Sequence, residues 1–276
     1  MNPLKIINLN SRYELSAAQV AWAQLALSPR PWEWHVEEAL SGLADEIPIF
    51  LLSPDSMPSH LSWRGEAHDR EGRWDSEFPP TEWLGFYQRT TQILGIDTPS
   101  IGLCPERIMR HARNEQELTL LTAKVIVHEF GHARMHLIDK THQASGDEFC
   151  HWMQEALANW IVLERFRHLR HERRRYSSWR RGRGGDDCCD QAHVENRIDP
   201  YDFVRDFISR QPDEYRLGID FHRHRPWRGY ILGSMRQARF LEKLEAKQAL
   251  LDYVKRNVGK TEDKVLEELV KALADG

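Results

Sequence analysis

The stretch from Asn114 to Leu137 constrains this chain more than any other. Leu118, Leu121, Val125, Phe130 and Ala133 recur at helix-compatible spacings. Asn114, standing before Glu115-Gln116-Glu117, supplies an N-cap side chain and acids at the positive end of the helix dipole. The pattern therefore predicts a helix over 114–137. Inside it lies His128-Glu129-Phe130-Gly131-His132. Residues four apart share one helix face, so the two imidazoles can aim at a single point. Neutral imidazole is a good zinc ligand, and Glu129 can lean over a metal without binding it.

The five letters alone decide little. With 14 His in 276 residues, H-E-x-x-H arises by chance roughly 0.05–0.1 times per chain, and the plain alternative is a helix with two partly buried histidines. The next element shifts the balance. Phe149, Met153, Leu157, Trp160, Ile161 and Leu163 mark the apolar face of a second helix, which contains Glu155-Ala156-Leu157-Ala158-Asn159. Crossing the first helix, it can present Glu155, and His128, His132 and Glu155 then form a three-ligand shell with one open position, a recurring catalytic zinc set. Glu148 and Glu164 flank Glu155 and are the alternative third ligands. Asn159, one turn later, can hydrogen-bond around the site, and small Ala156 and Ala158 let two helices approach closely. A third histidine at the H-E-x-x-H-x-x-G-x-x-H spacing is excluded: Met135 and Ile138 fill the Gly and His positions. His136 and His142 lie off that spacing and read as solvated or supporting histidines. On such a shell Glu129 is the expected general base for metal-assisted peptide-bond hydrolysis.

The pair HEFGH and EALAN resembles the gluzincin metallopeptidases. More narrowly it is similar to the ImmA/IrrE-type zinc peptidases, whose motifs are HExGH followed by E-x-x-A-N or E-x-x-A-D. The resemblance covers residues 98–166. It implies Zn²⁺ held by His128, His132 and Glu155, Glu129 as general base, and a protein or peptide substrate. The chain departs from the ImmA/IrrE pattern after Asn159, where Trp160-Ile161-Val162 stands. By the same resemblance, the strand expected at 98–104 is the edge strand that lines the cleft and pairs with extended substrate backbone. Tyr230, in Tyr230-Ile231-Leu232-Gly233, is similar to a Y-x-x-G stretch beside some gluzincin sites. That makes it the first candidate to stabilise the oxyanion, with His222 and His224 as competitors. Its bland alternative is a packed helix tyrosine.

Composition narrows the remainder. A net charge of −4 and mean hydropathy of −0.63 imply no global attraction to nucleic acid or to membranes. The N-terminus lacks a signal-peptide pattern, so a cytoplasmic protein is expected. Cys104, Cys150, Cys188 and Cys189 form no C-x-x-C pair, and reduced thiols are expected. The segment from Arg165 to Arg183 holds nine Arg. It reads either as a solvated helix end or as a patch for nucleic acid or an acidic partner. The latter supports an alternative function: a non-proteolytic, metal-bound binding protein.

Along the chain, strands are expected at 4–9, 47–52 and 98–104, helices at 16–27, 32–43 and 81–94, and an ordered loop or hairpin at 53–80. From 198 onward the chain reads as helical. The expected fold is α+β and zincin-like: a small mixed sheet packed on an active-site helix and a glutamate helix, with a largely helical C-terminal part. The expected division is a metallopeptidase domain over 1–190 and a helical C-terminal subdomain over 191–276.

Overall fold

A computed structural model describes residues 3–10, 12–28, 40, 42–57, 83–88, 98–137, 148–181, 198–223, 252, 255–256 and 258–259; between 148 and 181, side chains are described from 151 to 170. The fold is mixed α+β. Its strands are β1 (Ile6–Asn8), β2 (Ile49–Leu51), β3 (Gly85–Gln88) and β4 (Ser100–Leu103). Its helices are α1 (Ala17–Leu27), α2 (Pro105–Arg110), α3 (Glu115–Leu137), α4 (Glu148–Arg181), α5 (Pro200–Ser209) and α6 (Asp213–Arg223). A 3₁₀ turn spans Pro54–Ser56, and residues 42–46 are helical.

The four strands pair in the order β1-β2-β4-β3; β1, β2 and β4 are parallel, and β3 runs antiparallel to β4. Strand alternation sorts the side chains. Ile49, Leu51, Ile101, Leu103 and Tyr87 join the main core with α1 and α3, while Phe50, Leu52, Phe86 and Cys104 form a smaller cluster with Met57. The central position of β4 corrects one expectation. The strand at 98–104 is present, yet among the described strands β3 takes the edge beyond it. A second correction follows, because residues 85–88, expected as helix, are that edge strand. Gly85 weakens a helix there and Phe86-Tyr87 favour a pleated surface, so pairing with β4 prevails. Gly85 also sits where a Cβ would come within 2.8 Å of Val125 Cγ1 on α3.

Helix α3 is buried almost all round, from Glu117 to His136, because it lies between the sheet and the other helices. Its start is capped as the sequence predicts: Asn114 Oδ1 accepts the Glu117 N–H at 2.9 Å. Thr119 and Thr122 return their hydroxyls to carbonyls one turn back, at 2.8 Å each, so their burial leaves no donor idle. Helix α1 begins with a capping box between Ser16 and Gln19, and the Gln19 amide also reaches the Thr122 hydroxyl at 3.1 Å, tying α1 to α3.

Helix α4, 34 residues long, runs beside α3. At Gly131 the two helices lie close: a Cβ there would stand 3.2 Å from the Cα of Ala158. Helix α5 starts at Pro200, with the Asp199 carboxylate accepting the N–H groups of Tyr201 and Asp202. Val204, Ile208, Leu217 and Phe221 of α5 and α6 enter the same core as α3 and α4. The expected division at 190/191 lies outside the described residues, as do the sequence expectations for 32–39, 58–80 and 224–251. Among the described residues, no helix is long and apolar enough to cross a membrane.

Candidate metal centre

The face of α3 that carries His128 and His132 meets α4 at Glu155. The Nε2 atoms of the two histidines are 3.2 Å apart. Glu155 Oε2 lies 3.0 Å from His128 Nε2, and Glu155 Oε1 lies 3.4 Å from His132 Nε2. His128, Glu129 and His132 are buried, and the Glu155 side chain is nearly so. The rings of His128 and His132 meet edge to face, which turns both Nε2 atoms toward the carboxylate. Gly131 and Ala158 favour this convergence, since a side chain on Gly131 would press on the Ala158 backbone.

These three residues are a group able to hold a metal ion. Bonds of about 2.0–2.1 Å at tetrahedral angles would separate ligand atoms by about 3.3–3.4 Å, close to the spacings found here. The protonation chemistry agrees. Burial, helped by Lys124, pushes His128 down to about 3, so its imidazole is neutral at any ordinary pH. Burial also opposes charge on His132, but the carboxylates of Glu155 and Glu129 outweigh it and raise that pKa. Burial alone would raise Glu155; the adjacent imidazoles overcome it and hold the group well below the usual carboxylate range. Electron-rich nitrogen and oxygen atoms thus face one another in a dry space that a cation fits.

Glu129 points into the same region without joining the ligand set. Burial pushes it up to about 7, with the His132 charge opposing and the Glu155 charge assisting. The backbone N–H of Tyr87, on β3, reaches toward its carboxylate. Strand register explains why. Leu84 O accepts the Cys104 N–H, so the alternation along the β3–β4 pair turns the N–H and C=O of Gly85 and Tyr87 away from β4. The outward edge of β3 therefore faces Glu129. The Tyr87 hydroxyl pairs with Nδ1 of His136 at 2.8 Å, which gives that buried histidine a supporting place beside the edge strand.

The structure brings a further residue to the cluster. Tyr215 of α6 stacks on His128, with ring centroids 5.9 Å apart and planes 25° from parallel. Burial first, then the charges of Glu155, Glu214 and Glu129 and a hydrogen bond donated to Glu155, raise the Tyr215 pKa well above normal, so the hydroxyl stays a donor. Asn159, fully buried, donates its amide to the Tyr215 carbonyl at 3.2 Å and so fixes α6 against α4. Gly218 completes the seam: a Cβ there would meet Asn159 Cβ at 2.7 Å and the Ala156 carbonyl at 2.8 Å. The sequence did carry a signal for α6. Pro212 precedes the acids Asp213 and Glu214, and Leu217 and Phe221 recur one turn apart.

His222 is placed elsewhere. Its Nε2 lies 3.5 Å from Glu164 and its Nδ1 lies 3.4 Å from the Tyr201 hydroxyl. Glu164 stands nine residues after Glu155 on one helix, roughly 13 Å along its axis, so the expectation that His222 serves the oxyanion is not met by this placement. The same pairing gives Glu164 a role apart from the cluster. The Glu148 side chain, His142, His224 and Tyr230 lie outside the described residues. Of the arginine run, Arg165 is buried and donates to the Ser28 carbonyl at 3.1 Å, while Arg170 pairs with Asp199 and Asp202. Cys104 is a buried free thiol, as expected.

Comparison with known proteins adds little to this geometry. No protein-family profile matches the chain, and no solved structure matches it. Over 79 residues the sequence is 30% identical to "Uncharacterized protein YhcO" of Bacillus subtilis (strain 168). The aligned stretch spans 29% of this chain and 22% of that relative's length.

Proposed function

We propose that this chain is a zinc-dependent peptidase of zincin-like, gluzincin-type architecture, acting on a protein or peptide substrate. The observation that carries the reading is the convergence of His128 Nε2, His132 Nε2 and a Glu155 carboxylate oxygen, with Glu129 beside them but outside the set. A structural zinc site is ordinarily closed by a fourth protein ligand, whereas a catalytic one keeps a position open. Bound there, zinc would polarise the scissile carbonyl and acidify a water.

The chain's own residues supply the remainder. Glu129, beside the ligand set but outside it, accepts a proton from the attacking water and returns it to the departing amine. Tyr215 takes the oxyanion role ahead of Tyr230 and His222 by turning toward the developing oxyanion the O–H that it gives to Glu155 here. The outward edge of β3, beside Glu129, is the part that would pair with an extended peptide, a role first assigned to the 98–104 strand. Replacing the third ligand tests the metal assignment: Glu155→Gln should lower zinc affinity by at least about tenfold, measured as zinc retained per chain on dialysis, and peptide hydrolysis should fall with it. Unchanged zinc content would remove Glu155 from the ligand set.

A further inference from the structure

Lys124 is the buried charge that this mechanism leaves unused. It precedes His128 by one turn on the same face of α3, and it is 3% exposed. Its ammonium lies 5.8 Å from the ring centroid of Phe207 on α5. Among the described residues it makes no hydrogen bond and no ion pair. Burying a lysine without a partner is costly, and an apolar side chain of similar length would pack there at less cost. Burial pushes its pKa down to about 8, with the charges of Glu129 and Glu155 opposing.

Those two carboxylates have other work. Glu155 receives the two imidazoles and the Tyr215 hydroxyl, and Glu129 faces Tyr87; neither comes close enough to Lys124 for an ion pair. With a dication in place, Glu129 and Glu155 would balance the metal, and among the described residues the Lys124 ammonium would have no carboxylate paired with it.

We propose that Lys124 is a specificity residue: its ammonium, backed by the Phe207 ring, receives a carboxylate of the substrate and so orients the peptide against Glu129. The inference rests on the peptidase reading above. Two groups carry this chemistry, an acidic side chain near the scissile bond and the substrate's own C-terminus.

The test uses the full chain, zinc-loaded and carrying Glu129→Gln so that bound peptide is not consumed. Alanine hexapeptides with one Glu or one Gln at each position in turn, each with a free or an amidated C-terminus, are titrated calorimetrically. Carboxylate-bearing peptides should bind about tenfold or more tightly than their amide counterparts, with the Glu/Gln pairs and the free/amidated pairs telling the two sources apart. Added Lys124→Met should abolish the preference while zinc content holds, and Lys124→Arg should retain it. Equal binding of carboxylate and amide peptides, absence of binding by either, or a preference that survives Lys124→Met would overturn the assignment. A preference without cleavage by the wild-type protein would instead count against the peptidase reading and leave this one standing.

Discussion

Two glutamates in this centre have opposite electrostatic fates. Glu155 is flanked by two imidazoles and held ionised; at Glu129 burial outweighs the charges of His132 and Lys124 and pushes the group up to about 7. On the proposed reading the first carboxylate would serve as a ligand and the second as a base, a division set by their surroundings. Tyr215 adds a hydroxyl that resists ionisation. Its removal as Tyr215→Phe should lower kcat by about 10²–10³ while KM and zinc content change little. A loss confined to zinc content would recast Tyr215 as a positioning residue for Glu155. His128, Glu129 and His132 were legible because four-residue spacing on a helix needs no tertiary knowledge. Glu155 was set apart from Glu148 and Glu164 by the EALAN stretch and the family resemblance it carries, not by spacing. Tyr215 was not, since its role depends on α6 lying along α4, and nothing in its local sequence marks it as chemical.

Helix contact is what turns these spacings into a site. Gly131 against Ala158 joins α3 to α4, and Gly218 against Ala156 and Asn159 joins α4 to α6. The two glycines differ in severity. A methyl at Gly131 meets atoms at 3.2–3.4 Å, whereas one at Gly218 meets a backbone carbonyl and a Cβ below 3.0 Å. Alanine normally improves a helix by about 1 kcal/mol over glycine; at 218 the forced separation should outweigh this. Gly218→Ala is expected to destabilise the protein by about 1–3 kcal/mol, read as a lowered denaturation midpoint, and an unchanged or raised midpoint would contradict the packing described. The sequence showed that small residues stand between the motifs, and it showed β1, β2, β4, α1, α3 and α4. It misassigned β3 because Thr81–Leu94 carries apolar spacing suited to a helix. The deciding force there is long-range pairing with β4, which no local window contains.

The whole molecule places buried charge at the meeting of sheet and helices, and its stability without metal should reflect that. Glu129 has a folded pKa raised to about 7, so its stabilising contribution is full below its unfolded value near 4.5 and is lost as pH rises through 7. His128, lowered to about 3, contributes stability above its unfolded value near 6.5 and loses it as pH falls toward 3. Above pH 7 the metal-free protein therefore holds two ionised buried glutamates, whereas a bound dication would neutralise them. At pH 5 protons compete for His132, whose pKa is raised. The rise in Tm on adding zinc should thus be larger at pH 8 than at pH 5, and the reverse order would contradict the assigned charge states. The central claim, that this centre hydrolyses peptide bonds with Glu129 as base, is tested most directly by incubating zinc-loaded wild-type protein and its Glu129→Gln variant with a cell lysate and comparing the new peptide termini. New termini should appear with the wild type and fall by about 10²–10⁴ in rate with the variant, both proteins retaining zinc; identical termini from the two would contradict it.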